Sequence, residues 1–504
     1  MDVPTAAAER LPLLDPRSGS PKKRTIPFYQ LQRPTYIAAL TCVAIFIWML
    51  SSTLAALPAM RLTEDVYCRR YYNRDEEIDE RLCKVEKVQS QVAYIFGWSE
   101  TLNGVFGLTV ALPFGAMADY TRKPVYILGT VGHSLALLWT IFVIHQWRIV
   151  PIEWILAGPI FQSLGGGLLV ATSLLQAMLL DVVTPENRAK WFFFFSLSSQ
   201  TAGFLGMPIS AKLSEVWSPW APLAIVAGLG PVNILLMVFM PETTIFAGAD
   251  HGEEPTVEVG KSSWWSMAMS HCKQTFRDVK KSLAMLRNGS AAMLLLCVLT
   301  IIPVNVSLGG ILLQYVSQRF KWSLADAGYI MALRGGFVIL SMGFILPSIS
   351  TFLTTPRRRA RMSVHKKDLF LARSSATALL VGMLFLSGPA IGYVIVGLVI
   401  TALGSGLAPL CRSLILDYVN PTQTSSLFTS IGMIETLGAM PTAPLLAGAF
   451  SAGLQLRGFF YSLPYEVSAI FAMISVIALF LLKPAQRNSE STEPTSHEGE
   501  TEDE

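Results

Sequence analysis

The sequence predicts an all-α integral membrane protein with twelve transmembrane helices in two pseudo-symmetric six-helix bundles and both termini in the cytoplasm. Three observations lead there: the composition, a series of apolar runs and an internal repeat. The chain has 504 residues, of which 52% are hydrophobic and 15% charged. Soluble domains usually carry about 25% charged residues. This composition excludes a soluble enzyme, a disordered protein and a disulfide-rich scaffold.

Twelve apolar runs each approach the length of a membrane-spanning helix, which needs roughly 20 residues. Glycine, serine and threonine are scattered through them, and such small residues let membrane helices pack closely. The alternation expected of barrel strands is absent. The first six runs predict an N-terminal bundle over 36–240, and the last six a C-terminal bundle over 291–482. The predicted spans are 36–60, 92–118, 125–145, 152–180, 191–213, 219–240, 291–313, 325–349, 370–386, 391–416, 425–450 and 465–482.

The distribution of Lys and Arg predicts the orientation. Loops on the side of the N-terminus carry most of these residues, and positive charge resists translocation, so both termini are predicted to be cytoplasmic. A polar tail (1–35), a linker (241–290) and an acidic tail (483–504) lie on that side. We expect a multi-pass protein of the plasma membrane. An acidic dileucine pattern over 9–14 leaves a vacuolar or endosomal membrane as the alternative.

The first external loop, predicted over 61–88, is long and charged and contains Cys68 and Cys83. They are the only two cysteines predicted to face an oxidising compartment, where disulfides persist. A bridge between them would close a loop of about 15 residues and could contribute about 3 kcal/mol. Two free thiols are the alternative.

An internal repeat relates the two bundles. The pattern D-x-V-x-P occurs at 181–185 and again at 417–421, an offset of 236 residues. Pro208 and Pro444 keep that offset, while a Leu-Pro pair in helix 2 recurs in helix 8 at an offset of 234. Several matches at nearly one offset indicate a duplicated six-helix unit.

Two such halves in parallel topology, joined by a long cytoplasmic linker, resemble the major facilitator superfamily. Segment 115–123, at the end of helix 2, resembles that family's G-x-L-A-D-R-x-G-R-K signature. Segment 181–188 resembles its D-x-x-x-P-x-x-R segment after helix 4, and 241–243 its P-E-T motif. The resemblance covers nearly the whole chain and implies a secondary transporter that works by alternating access.

The second half resembles a fungal group of facilitator proteins, at segments 313–317, 367–373 and 435–438. Members of such groups often act as efflux pumps beside natural-product pathways. The resemblance therefore implies export of a small organic molecule, such as a secondary metabolite, toxin or drug.

Charged residues at the cytoplasmic helix ends are candidates for a gate. An acid at a helix end opposite a base can form an ion pair that holds two bundles together, and that pair must break when the bundles rock. The predicted pairs are Asp119 with Arg122 and Asp181 with Arg188, with Lys123 as an additional cation. The alternative is that these charges only anchor helix ends at the membrane interface.

Three charged residues are expected to lie at mid-membrane: Glu100 in helix 2, Arg334 in helix 8 and Glu435 in helix 11. A charge at mid-membrane costs at least about 2.5–3.5 kcal/mol, so it usually lines a cavity or meets a partner. Glu100 and Arg334 occupy equivalent repeat positions, since 100 + 234 = 334. A carboxyl group in an apolar cavity can exchange protons near neutral pH. We expect Glu435 or Glu100 to carry protons, and Arg334 to regulate that site or to bind an anionic substrate group; a fixed structural ion pair is the alternative. His133, alone in helix 3, is expected to be a hydrogen-bonded packing residue.

The sequence thus favours a proton-coupled exporter of a small organic molecule, with a symporter importing an organic anion or nutrient as the alternative. A membrane enzyme or sensor has no support, because the loops contain no nucleophile, His/Asp or metal constellation. The expected partners are the substrate, protons and the lipid bilayer. We expect no cofactor, no metal and no nucleic acid, and a monomer.

Overall fold

The computed structural model describes residues 33–76, 78–183, 188–243, 289–354, 364–416, 424–456 and 458–482. Within these ranges the chain is helical and contains no β-strand. Most of the predicted N-terminal tail and linker, and the whole acidic tail, lie outside the described residues.

The N-terminal half contains six main helices. They are α1 (Pro34–Tyr72), α2 (Glu86–Tyr120), α3 (Arg122–His145), α4 (Gly167–Val182), α5 (Arg188–Val216) and α6 (Trp220–Phe239).

The C-terminal half repeats this series, and three of its helices are assembled from successive segments. They are α7 (Gly289–Val306, Ser307–Ile311 and Leu312–Phe320), α8 (Leu324–Leu340, Ser341–Ile345 and Leu346–Thr354), α9 (Val364–Leu386), α10 (Ile391–Leu403, Gly404–Gly406 and Leu407–Leu416), α11 (Thr424–Leu456) and α12 (Leu463–Leu481).

Ten helices among the described residues are long and apolar enough to cross a membrane. The protein is therefore a multi-pass membrane protein. Helices α2 and α5 are outside this set. The number of twelve spans stays a prediction.

The predicted fourth span, 152–180, is interrupted before α4. Short helical turns at Ile152–Ala157, Gly158–Gln162 and Leu164–Gly166 precede the helix. Gly165 has φ 74°, in the left-handed region, and a Cβ there would lie 2.2 Å from the backbone nitrogen of Gly129. Only glycine fits both the conformation and this close approach, so the interruption lets α3 pack directly against the bend.

The predicted external loop 61–88 is wrong at its start, because α1 continues as a helix to Tyr72 and the connection to α2 spans only 73–85. Glu64 and Asp65 lie in this extension and are buried. A disulfide joins Cys68 of α1 to Cys83, with 5.3 Å between the two Cα atoms. We call this end of the bundle the disulfide end.

The two halves share a capping arrangement. Near the start of α3, the ammonium of Lys123 donates to the carbonyls of Val238 and Met240 at the end of α6, at 3.1 and 2.7 Å. In the third turn of α9, the guanidinium of Arg373 donates to the carbonyl of Leu479 at the end of α12, at 2.9 Å. A cation at a helix C-terminus satisfies carbonyls that lack intrahelical partners. The same device in both halves agrees with the duplication.

Helices α2 and α11 join the halves at the disulfide end. The hydroxyls of Ser90 and Ser451 are 2.9 Å apart, and the Thr101 hydroxyl donates to the Met440 carbonyl at 2.9 Å. Beyond this point the two helices separate, since a Cβ on Gly107 would have no neighbouring atom within 4 Å.

Helices α5 and α8 form the second contact between the halves. The Tyr329 hydroxyl donates to Glu215 at 3.2 Å, and Phe204 packs against Gly335 and Gly336. A Cβ on Gly343, further along α8, would again meet no atom within 4 Å. The described contacts between the halves lie at the disulfide end, and from them we infer a cleft that opens towards the α2–α3 connection.

Candidate functional site

Glu100 lies on α2 close to the point where that helix leaves α11. Its neighbour Thr101 bonds to Met440, whereas Glu100 itself is exposed and forms no ion pair with any described residue. Asn103, one turn further, has a buried side-chain oxygen without a hydrogen-bond partner among the described residues. This stretch of α2 therefore presents unpaired polar groups where the cleft begins.

Arg334 lies in the opposite half, on α8, and is partly buried. The next two residues, Gly335 and Gly336, hold α8 against Phe204 of α5. The Arg334 guanidinium has no acidic partner among the described residues, and its buried Nε atom has no hydrogen-bond acceptor there. The structure thus leaves Glu100 and Arg334 apart, each without an ion pair in the described part of the chain.

Glu435 on α11 pairs with Arg412 on α10. One guanidinium nitrogen of Arg412 lies 2.5 and 2.7 Å from the two carboxylate oxygens. The side chains are 42% exposed for Arg412 and 29% for Glu435, so the pair is only partly buried. The role expected of Arg334, to regulate the proton carrier or to bind an anionic substrate group, stays a prediction.

Sequence reasoning missed Arg412, although the residue lies inside the predicted span 391–416. The rule that selected Glu435, a charged residue inside a predicted apolar run, applies to Arg412 as well. At the repeat offset of 236, the equivalent positions in the N-terminal half are Gln176 and Ser199, since 412 − 236 = 176 and 435 − 236 = 199. The ion pair therefore has no counterpart in the other half, which argues against a duplicated structural role.

The predicted gate charges lie only partly among the described residues. Asp181 at the end of α4 pairs with Arg122 at the start of α3. The side chains of Asp119 and Arg188 lie outside the described residues. Glu242, after α6, accepts hydrogen bonds from the backbone N–H groups of Arg122 and Lys123 at 2.9 and 3.3 Å. These contacts lie within the N-terminal half. The Arg122–Asp181 pair therefore does not join the two halves in this conformation, whose cleft is open at that end.

His133 packs as expected but is not hydrogen-bonded as expected. Its ring stacks on Trp48, with 4.7 Å between centroids and 21° between planes. It is 7% exposed, and neither ring nitrogen has a hydrogen-bond partner among the described residues. The stacking on an apolar aromatic ring explains why this side chain is buried without a polar partner.

A family model described as Major Facilitator Superfamily matches residues 37–365. The chain belongs to the major facilitator superfamily. This confirms the family that the sequence motifs predicted, and the family match agrees with a helical bundle of two halves around a cleft. Among the described residues, no group of three or more His, Cys, Asp or Glu side chains could hold a metal ion.

Similar facilitator proteins come from fungi. The chain is 29% identical to the MFS efflux pump atnC of Emericella nidulans over 86% of this chain and 85% of that protein. It is 28% identical to the MFS-type transporter aprT of Aspergillus flavus over 95% of both chains. The predicted resemblance to fungal facilitator proteins is confirmed, and the protein is a transporter rather than an enzyme.

Solved facilitator structures share the fold. The crystal structure of the human organic anion transporter MFSD10 (TETRAN) matches with a TM-score of 0.56 at 15% identity, over 90% of this chain and 100% of that one. A D-xylose-proton symporter matches with a TM-score of 0.56 at 13% identity, over 88% and 96%. At these identities the likeness shows the fold alone.

Proposed function

We propose that this facilitator is a proton-coupled efflux pump that exports a small organic molecule by alternating access. The observation that carries the proposal is the Arg412–Glu435 ion pair, which lies in the cleft wall and occurs in only one of two duplicated halves. In this proposal twelve helices span the plasma membrane with both termini inside. The disulfide end is external, so the described conformation is open to the cytoplasm.

The ion pair can couple a proton to a conformational change. With Glu435 ionised, Arg412 compensates its charge, which lowers the cost of a carboxylate inside a membrane helix bundle. A proton that binds a carboxylate oxygen of Glu435 removes the negative charge and weakens the attraction. Arg412 is then free to move towards a cargo group or water. Binding of the proton and binding of the cargo are thus linked through the position of Arg412 between α10 and α11.

Glu100 and Arg334 are further candidates for proton uptake and cargo binding in the cleft. Glu100 is exposed at the point where α2 and α11 separate, so it can take up a proton from cleft water and serve as a second carrier. Arg334 has an unused donor and no acidic partner among the described residues, so it can bind an anionic group of the cargo. The lack of a partner for Arg334 is also what favours the second candidate function, import of an organic anion together with a proton.

The charges at the open end would act in the opposite conformation. We propose that closure of the cleft at that end brings α11 towards the α2–α3 connection, where Arg122 and Asp181 already form a pair. Asp119, Lys123 and Arg188 complete this cytoplasmic gate. The names of the fungal relatives, an efflux pump and an MFS-type transporter, support the outward direction.

The test is the retention of compounds by cells that make the protein. Single compounds from a panel of amphipathic natural products and organic acids are loaded, and the amount retained is measured with and without a proton uncoupler. We expect at least one compound to be retained less by cells with the wild-type chain. The uncoupler should abolish this difference, and the variant Glu435→Gln should remove most of it.

The matched control is Glu153→Gln. Glu153 lies at the disulfide end, where it forms a surface pair with Arg70 at 3.2 Å, so export should be unchanged. Higher retention in wild-type cells would indicate import and favour the symporter. Export that persists in the uncoupler and in Glu435→Gln would exclude proton coupling through this residue.

A further inference from the structure

A short segment at the disulfide end, residues 79–85, connects α1 to the start of α2; we call it the clasp segment. It contains a buried ion pair, in which the ammonium of Lys84 lies 2.8 Å from a carboxylate oxygen of Glu64. Each of these side chains is 2% exposed. A second carboxylate, that of Glu80, lies 3.0 Å from the same ammonium. Lys84 is therefore compensated by two acids in a site without bulk water.

The clasp segment also bonds to the other half of the molecule. The backbone carbonyl of Lys84 accepts hydrogen bonds from the side chains of Gln318 and Lys321 at the end of α7, at 2.9 and 3.1 Å. A carboxylate oxygen of Glu80 accepts a hydrogen bond at 2.8 Å from the backbone N–H of Leu324, which begins α8. Burial and the charge of Lys84 lower the pKa of the Lys321 ammonium. These bonds join the N-terminal half to the α7–α8 turn.

Two features hold the clasp segment on its own half. Cys83 is bonded to Cys68 of α1, directly before Lys84. The side-chain amide of Gln89 donates to Glu64 at 2.7 Å and to the Cys83 carbonyl at 3.2 Å. The segment is thus attached to α1 by a covalent bond and by the buried ion pair, whereas its polar contacts with α7 and α8 in the described residues are hydrogen bonds. When the halves part at this end, the bonds to α7 and α8 are the ones that can break and form again.

We propose that the clasp segment holds the two halves together in the state that is closed at the disulfide end, and that release of Gln318 and Leu324 from it is a required step in opening that end. The disulfide and the Lys84–Glu64 pair hold the Lys84 carbonyl and the Glu80 carboxylate in position. These two groups accept the hydrogen bonds from the other half. This inference rests on the alternating cleft of the proposed function but does not depend on proton coupling.

The test uses a reporter at the contact that closes this end. Ser451 is 4% exposed and faces Ser90 across the two halves, so a cysteine there reacts with a maleimide only when the halves part. The full chain carrying Ser451→Cys is purified in lipid nanodiscs, where both ends are accessible, and its rate of labelling is measured. Labelling of the parent chain without the reporter measures the background from the other cysteines. These are Cys42, Cys297 and Cys411, which are buried, and Cys272, which lies outside the described residues.

Variants on both sides of the contact are compared. Lys84→Met disturbs the clasp segment, and Gln318→Leu removes one bond from the other half without touching the buried pair. We expect labelling to be roughly tenfold faster with Lys84→Met and a few-fold faster with Gln318→Leu, since one hydrogen bond has a modest net effect. The exposed Lys87, three residues away, makes no ion pair with any described residue, and Lys87→Met should leave the rate unchanged.

The proposal requires that Lys84→Met and Gln318→Leu, on opposite sides of the contact, both accelerate labelling. If Lys84→Met accelerates labelling while Gln318→Leu does not, the clasp segment stabilises only the N-terminal half and does not hold the two halves together. That result overturns the proposal. Unchanged labelling in both variants overturns it as well. The double variant Cys68→Ser/Cys83→Ser should also accelerate labelling, because it frees the segment from α1. No proton gradient or cargo is used, so a failure of proton coupling leaves this result unaffected.

Discussion

Replacement of Arg412 by methionine leaves Glu435 in the cleft wall without its counter-charge. At a separation of 2.7 Å, Coulomb's law gives about 6 kcal/mol for an effective dielectric constant near 20 and about 1.5 kcal/mol in bulk water. The side chains are 42% and 29% exposed, so water screens the pair and the lower end applies. We therefore expect a coupling energy of about 2 kcal/mol, which corresponds to roughly 30-fold in a rate or equilibrium.

The assay is a double-mutant cycle on the initial rate of efflux of the compound identified by retention. Arg412→Met and Glu435→Gln should each slow efflux by roughly 30-fold, and the double variant should be no slower than either, because the two residues act as one unit. The control is Arg148→Met, which removes a surface pair of 3.7 Å with Asp75 and should have little effect. Additive losses, or normal efflux by Arg412→Met, would refute the coupling of these two side chains.

Two further predictions concern stability and are measured as thermal unfolding of purified protein in detergent. Lys84→Met should destabilise the fold by about 3 kcal/mol, since it leaves a buried carboxylate unpaired, and adding Glu64→Gln should restore much of the loss; a double variant less stable than the single one would contradict this reason. Gly165→Ala should cost about 3 kcal/mol, because a Cβ meets the Gly129 backbone and the left-handed conformation is strained. The control Gly107→Ala should be neutral, and an equal loss in both glycine variants would contradict the steric account.

Composition and repeat were sufficient to predict a duplicated helical membrane bundle, because apolar length and spacing are local properties of the chain. The end of α1 was not predictable in this way. Glu64 and Asp65 resemble loop residues in the sequence, yet Glu64 pairs with Lys84 and Asp65 with Arg69. Such pairs neutralise charge inside the protein, and the sequence alone does not show that the partners meet.

The sequence could identify most charged residues of the candidate site, but it could not show which of them form ion pairs with each other. A charge within an apolar run is visible in the sequence, and the same rule that found Glu435 also identifies Arg412. Which charges meet depends on the packing of α10 against α11 and of α3 against α4. The pairs Arg412–Glu435 and Arg122–Asp181 therefore emerge only from the folded chain.

The measurement that tests the central claim most directly is the proton flux that accompanies movement of the exported compound across proteoliposomes. The vesicles contain purified protein and an entrapped pH-sensitive dye, and the compound is added on one side. The account predicts a change of internal pH that depends on the compound with the wild-type chain and none with an equal amount of folded Glu435→Gln protein. Transport of the compound without any proton flux, or equal flux in both preparations, would contradict it.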